Sequence, residues 1–171
     1  AGFDARVIEA GENYICYGRF LCARQAKNSI IYVQDDDAIV CNITEIYEAF
    51  LRDPTCIAHN LSEYHFHHRR RHIYGNCHSA LIGWGAFFHK EWLELFEKVP
   101  PDFRETMLFR READQFFTIL LKRHHNTLCG NLQHLETHSE PGIALWQEPD
   151  FFKNSALAVR YALSFARRSL S

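Results

Sequence analysis

The chain has 171 residues, with 19 basic and 21 acidic side chains and a formal charge of -2, so it lacks the net-basic footprint of a nucleic-acid-binding protein. Its 47% apolar and 23% charged residues are those of an ordinary globular domain with one sizeable core, which excludes disorder as the default state. No run of about 18 apolar residues is present to span a membrane. The six cysteines include no C-x-x-C pair, so neither a zinc ribbon nor a thioredoxin-like motif is encoded, and small buried thiols are expected. The start, Ala1-Gly2-Phe3-Asp4, carries no signal-peptide pattern and reads as a cut through a longer protein. Two sequons, Asn42-Ile43-Thr44 and Asn60-Leu61-Ser62, are candidate glycan acceptors.

In chain order, Glu12 to Ala26 has Tyr14, Tyr17, Leu21, Cys22 and Ala26 at helical spacing and ends at Asn28-Ser29. Ile30-Ile31-Tyr32-Val33 is a β-branched and aromatic run that predicts a buried strand. Thr44 is placed as the cap of a helix that carries Ile46, Ala49 and Phe50 on one face and stops at Asp53-Pro54. Cys56-Ile57-Ala58 follows as a strand, and residues 62–78 as a His- and Arg-rich loop with some strand. Ala80 to Phe88 predicts a strand with a tight turn at Gly83-Trp84-Gly85. Helices are expected over Glu91–Val99, Arg111–Arg123 and Ser155–Arg168, and a strand over Thr127–Leu135. Without repeats or linkers, residues 1–171 form a single α/β domain; the alternation of helices and short strands predicts a mainly parallel sheet flanked by helices.

The chemistry begins where the first strand ends, at Asp35-Asp36-Asp37. Three adjacent carboxylates repel one another unless a cation compensates. Mg2+ or Mn2+ does this with hard oxygen ligands while bridging to substrate phosphates. Ligands of open α/β sheets bind beyond the carboxyl ends of strands, and in an extended segment Asp35 and Asp37 point the same way. A solvated turn is the plain alternative, since Asp is a common turn residue.

The strand with its Asp35-Asp36-Asp37 ending resembles the D-x-D motif of GT-A glycosyltransferases. Gly83-Trp84-Gly85-Ala86-Phe87-Phe88-His89-Lys90 resembles their central strand, where a Gly-rich turn meets donor and acceptor sugars. Arg111-Glu112-Ala113-Asp114-Gln115-Phe116-Phe117 resembles their later acidic motif, which opens a helix; Ala113 separates acids that are usually adjacent in the family. The order of the three motifs is closest to family-2-like and exostosin-like enzymes. It implies a GT-A-like, Rossmann-related fold that is partial here. The first nucleotide-binding β/α unit is missing ahead of Asp35, where only one helix and a segment at Arg6-Val7-Ile8 are found.

The resemblance further implies a Mn2+ or Mg2+ cofactor, held directly by Asp37. Asp35 would contact the ribose or a metal-bound water, and Asp36 would lie in the donor site with Gly83, Trp84 and Gly85. His138 is the candidate further metal or phosphate ligand, ahead of His134. Asp114, with Glu112 as fallback, would take the proton of the acceptor hydroxyl; routine helix capping is the other reading of both acids. Trp84 and Trp146 are candidate sugar-stacking rings or plain core. The donor would be a nucleotide sugar, most simply a UDP-sugar, and the acceptor a glycan, lipid or protein hydroxyl.

His65, His67, His68, His72 and His78 surround Arg69-Arg70-Arg71, with Cys77 nearby. A solvated basic loop, an anionic-substrate contact and a zinc site are the readings open there. Two other function classes compete with the transferase. One is a nucleic-acid-binding module using that loop with Tyr64, Phe66 and Tyr74. The other is a metal-dependent phosphohydrolase using the Asp cluster.

Overall fold

The computed structural model describes residues 6–61, 80–121, 125–128, 130, 132–135 and 145–168. The chain is α/β. Strands β1 (Ile30–Val33), β3 (Ile57–Asn60), β4 (Ala86–His89) and β5 (His125–Leu128) form one sheet in the order β1-β4-β3-β5, while β2 (Ala38–Val40) and β6 (Leu132–His134) form a second, two-stranded sheet. The helices are α1 (Tyr17–Arg24), α2 (Ile43–Arg52), α3 (Pro101–Arg104), α4 (Met107–Arg111), α5 (Ala113–Leu121) and α6 (Phe151–Arg168). Short 3-10 segments cover Ile82–Trp84, Lys90–Lys98 and Leu145–Gln147.

The expected mainly parallel sheet is not what forms. Among the described strands only β3 and β5 pair in parallel; β1 with β4, β3 with β4, and β2 with β6 are antiparallel. Since β1 and β3 are both antiparallel to β4, they run in the same direction, as the unit β1–α2–β3 predicts. What alternation could not reveal is that β4 lies between them. Helix–strand alternation sets strand direction but not which strands are neighbours.

A layer of aromatic rings joins the sheet to the helices on one face. Phe88 of β4 lies 5.0 Å from Phe117 of α5 and 6.3 Å from Phe20 of α1, ring centre to ring centre. Phe20 and Phe96 are 5.0 Å apart, and Phe109 and Phe116 also 5.0 Å. Such pairs add about 0.5–1.5 kcal/mol each beyond the area they bury. The opposite face is covered by α2, whose Ile46, Ala49 and Phe50 are buried at helical spacing and whose Tyr47 ring lies 5.1 Å from Phe87. β1 alternates between the layers, with Ile31 and Val33 buried and Ile30 and Tyr32 half-buried.

Element boundaries differ from expectation for local reasons. α1 starts at Tyr17 rather than near Glu12 because Asn13 Oδ1 accepts the Ile15 N–H at 2.9 Å and Ile15 adopts φ 52. That region is costly for a β-branched residue and incompatible with a continuing helix. The expected helix Arg111–Arg123 is two helices broken at Glu112, whose φ -105 and ψ 22 end α4 and whose carbonyl accepts from Gln115 at 2.9 Å and Phe116 at 3.2 Å to begin α5. The cap of α2 falls at Asn42, not Thr44. The expected strand Thr127–Leu135 splits into β5 and β6, which belong to different sheets.

Asn60 has no exposed surface, and its Oδ1 accepts the Gly130 N–H at 3.0 Å. A Cβ on Gly130 would fall 2.1 Å from Asn42 Nδ2. Asn60 thus serves in the packing of the fold and is closed to a glycan once the chain has folded.

Removing the Phe117 ring, which touches Phe20, Phe88 and Phe96, should lower unfolding free energy by about 3–5 kcal/mol in Phe117→Ala. Phe152→Ala, at a position 52% exposed on α6, should change it by less than about 0.5 kcal/mol. Urea denaturation of the two variants checks the contrast.

Candidate functional site

Three segments distant in sequence meet at the carboxyl end of β1. The Asp35 N–H donates to Gly83 O at 2.7 Å, tying the aspartate turn to the glycine turn. The contact leaves no room for a side chain: a Cβ on Gly83 would lie 2.0 Å from Asp35 Oδ2. Gly85 adopts φ 96, and a Cβ there would come within 3.0 Å of the Tyr32 hydroxyl and of Val40. A side chain at 83 would displace the Asp35 carboxylate, and at 85 both contact and conformation favour glycine.

The aspartates form a closed turn rather than an extended segment, because the Ala38 N–H donates to Asp35 O at 3.3 Å. The expectation that Asp35 and Asp37 point the same way, as alternate residues of a strand would, does not apply in such a turn. Asp36 is exposed at the tip. Asp37 is half-buried, and its carbonyl accepts the Leu135 N–H at 2.8 Å, linking the turn to the end of β6. Tyr32 OH donates to Gln34 Oε1 at 2.8 Å, and Gln34 Nε2 donates to Ala38 O at 2.6 Å, bracing the turn from both ends.

Arg19 joins this turn to the second acidic motif. Its Nη2 lies 2.7 Å from Asp35 Oδ1 and its Nη1 lies 3.3 Å from Asp114 Oδ2. Asp114 stands in the first turn of α5, whose other residues are all buried. The guanidinium and both carboxylates are largely enclosed, with side-chain exposures of 20%, 34% and 24% for Arg19, Asp35 and Asp114. Asp114 Oδ1 is buried with no hydrogen-bond partner among the described residues.

Burial dominates the electrostatics. It pushes Asp114 up to about 6, against the pull of Arg19 and with some help from Asp35. It also raises Asp35, where Arg19 opposes the shift and Asp37 and Asp36 add to it. Glu112, 6% exposed, is pushed up to about 7 by burial; Ser155 Oγ donates to its Oε2 at 2.9 Å and offsets part of that, Asp114 adds to the rise, and Arg111 opposes it. The Cys16 thiol, near Asp114, is pushed up to about 12, chiefly by burial, and stays protonated.

The structure thus brings Asp35, Gly83 and Asp114 together and places Asp36, Asp37 and Gly85 beside them. Trp84 is half-buried, with its ring 5.2 Å from that of His134 at 65°. His134, the lesser of the two histidine candidates, is a residue of β6 and the partner of that ring. Glu112 faces Ser155 of α6 rather than the aspartate turn. His138, Cys77 and the His/Arg cluster of residues 65–78 lie outside the described residues, and Trp146 is placed only by its backbone. The residue that sequence reading missed is Arg19. Its one signal was a cation set between the buried Tyr17 and Phe20 of α1.

No family model, curated protein or solved structure matches the chain.

The donor set at the aspartate turn suits a hard divalent cation in kind. Among the described residues no three His, Cys, Asp or Glu side chains gather around one point. A cavity of about 380 Å3, lined by Arg24, Ser29, His89, Lys90 and Leu93 among others, lies at the opposite end of β1 and β4, and none of the aspartates reaches it.

Glu112 makes folding pH-dependent. Its folded value, about 7, lies above the unfolded 4.5, so its contribution to stability is fully present below pH 4.5 and lost as pH rises through 7. The loss amounts to about 3 kcal/mol. Glu112→Gln keeps the acceptor for Ser155 and removes the charge. Denaturant unfolding should show little difference from wild type at pH 5 and a more stable variant at pH 8. Gly83→Ala should destabilise at both pH values, since its Cβ collides with the Asp35 carboxylate.

Proposed function

We propose that this chain is the catalytic portion of a metal-dependent glycosyltransferase of GT-A type, moving a sugar from a nucleotide-sugar donor to an acceptor hydroxyl. One observation carries the reading. The three motifs of the resemblance, spread from residue 30 to 117, meet at one place, with Asp35 packed on Gly83 and bridged through Arg19 to Asp114. Burying like charges together is costly, and a site for a charged substrate gives that cost a use.

In this reading Asp114 is the base. At about 6 it is mostly ionised at neutral pH yet basic enough to accept a proton, the range in which general bases work well. Its Oδ1 is buried without a donor among the described residues, so an acceptor hydroxyl reaches it only when the groups covering it move aside. Glu112, engaged with Ser155, is a poorer base. Asp37 would hold Mn2+ or Mg2+ directly, with Asp36 beside it and Asp35 toward the ribose or a bound water; His138 remains a candidate further ligand. A bound cation supplies Lewis acidity toward the departing diphosphate. Gly83 and Gly85 let the glycine turn pack closely on the aspartate turn and on Tyr32 and Val40, and Trp84 is the candidate ring for a sugar.

The nucleic-acid alternative rests on residues 64–74, outside the described residues. The phosphohydrolase alternative needs a fuller metal-ligand cluster than the described residues supply. No helix among the described residues is long and apolar enough to cross a membrane.

Calorimetry with UDP, GDP and ADP in Mn2+ tests the proposal. Binding should require the metal, fall at least tenfold in Asp37→Ala and be nearly unchanged in Asp114→Asn, whose loss belongs to the transition state. Metal-independent binding, or wild-type affinity in Asp37→Ala, would remove the site from the aspartate turn.

A further inference from the structure

Two acids open helix α5, and the structure sends them to different partners. Glu112 turns to Ser155 on α6, and Asp114 turns to Arg19 on α1. Arg19 cannot serve Asp114 alone, since its other terminal nitrogen is held by Asp35 at 2.7 Å. Asp35 is in turn fixed by its contact with Gly83 and its main-chain bond to Gly83 O. The guanidinium is thus anchored on one side to a rigid turn and offers its second nitrogen to Asp114. A planar fork suits this task, whereas an ammonium would act only as a point charge.

We propose that Arg19 is the positioning residue of the site: anchored by Asp35, it ties down Asp114 Oδ2 and holds that carboxylate in its charged form. That this carboxylate serves as a base rests on the glycosyltransferase reading; the tie itself does not. Among the described residues, the groups facing Asp114 are Arg19 and Cys16 from the α1 side, Asp35 from the aspartate turn and Glu112 just ahead of its own helix. Arg19 is the single cation among them. Cys16 stays neutral, and Asp35 and Glu112, when ionised, oppose a charge on Asp114. Removing the guanidinium leaves burial and like charge unopposed, and both favour the protonated acid.

The test is an NMR titration of Asp114 in protein labelled with 13C at aspartate carboxyls, with Asp114→Asn to assign its signal. No donor, metal or turnover is involved. In Arg19→Met the Asp114 midpoint should rise by roughly one to three pH units above wild type. In Arg19→Lys it should lie between the two. A folded Arg19→Met whose Asp114 titrates as in wild type overturns the proposal. If the Met variant does not fold, Arg19→Gln against Arg19→Lys makes the same comparison, with the larger upward shift expected for Gln. The expected shift without metal-dependent UDP binding would leave the positioning role standing and remove the transferase reading. UDP binding without the shift would do the reverse. Where transfer is measured, Arg19→Met should lower kcat at pH 7 and recover part of it at higher pH, with the acid limb of the profile displaced upward.

Discussion

One guanidinium between two carboxylates ties the site to the fold. Arg19 comes from the helix ahead of β1, Asp35 from the strand's end and Asp114 from the start of a helix some eighty residues later. Each group is mostly out of water, where a charge without a partner costs several kcal/mol. Arg19 offsets both acids only partly, since burial still raises each of them. Two carboxylates share one cation, and Asp36 and Asp37 add charge beside them. Among the described residues, the carboxylates of the turn outnumber the cations beside them.

Packing holds this arrangement in place. α1 and α5 present Arg19 and Asp114, and the ring contacts of Phe20 and Phe117 with each other and with Phe88 fix both helices against the sheet. The small sheet of β2 and β6 lies beyond the aspartates, bonded to Asp37 O through Leu135 and meeting Trp84 through His134. The site thus sits between an aromatic core behind it and a light two-stranded element beside it. Core elements open rarely and small peripheral ones more readily, so movement on ligand binding is expected in β2–β6 rather than in α1 or α5.

The sequence made some of this legible. A β-branched run followed by three acids located β1 and the turn, because strand propensity and carboxylate repulsion are local properties. Gly83 and Gly85 were marked for a tight turn, and the structure favours glycine at both. The acids at 112 and 114 were read as a helix start, which holds because the chain breaks at Glu112. Their division between Ser155 and Arg19 was not legible, since it depends on which helices pack against α5. Arg19 itself was hidden for the same reason: an isolated arginine on a helix reads as a surface residue until its partners from residues 35 and 114 are brought to it. The insertion of β4 between β1 and β3 is also long-range, and no local periodicity encodes it. Asn60 carried a modification signature and turned out to be an internal packing residue, because three letters of sequence say nothing of burial.

The central claim is that the aspartate turn, the glycine turn and the start of α5 form one diphosphate site. A crystal structure of the protein soaked with Mn2+ and UDP tests it most directly. The account predicts anomalous density for one Mn2+ on the Asp37 carboxylate, with the diphosphate over Gly83 and Arg19 within reach of both. Mn2+ and UDP bound away from Asp35, Asp36 and Asp37, or bound there with Asp114 turned to the opposite face, would contradict it.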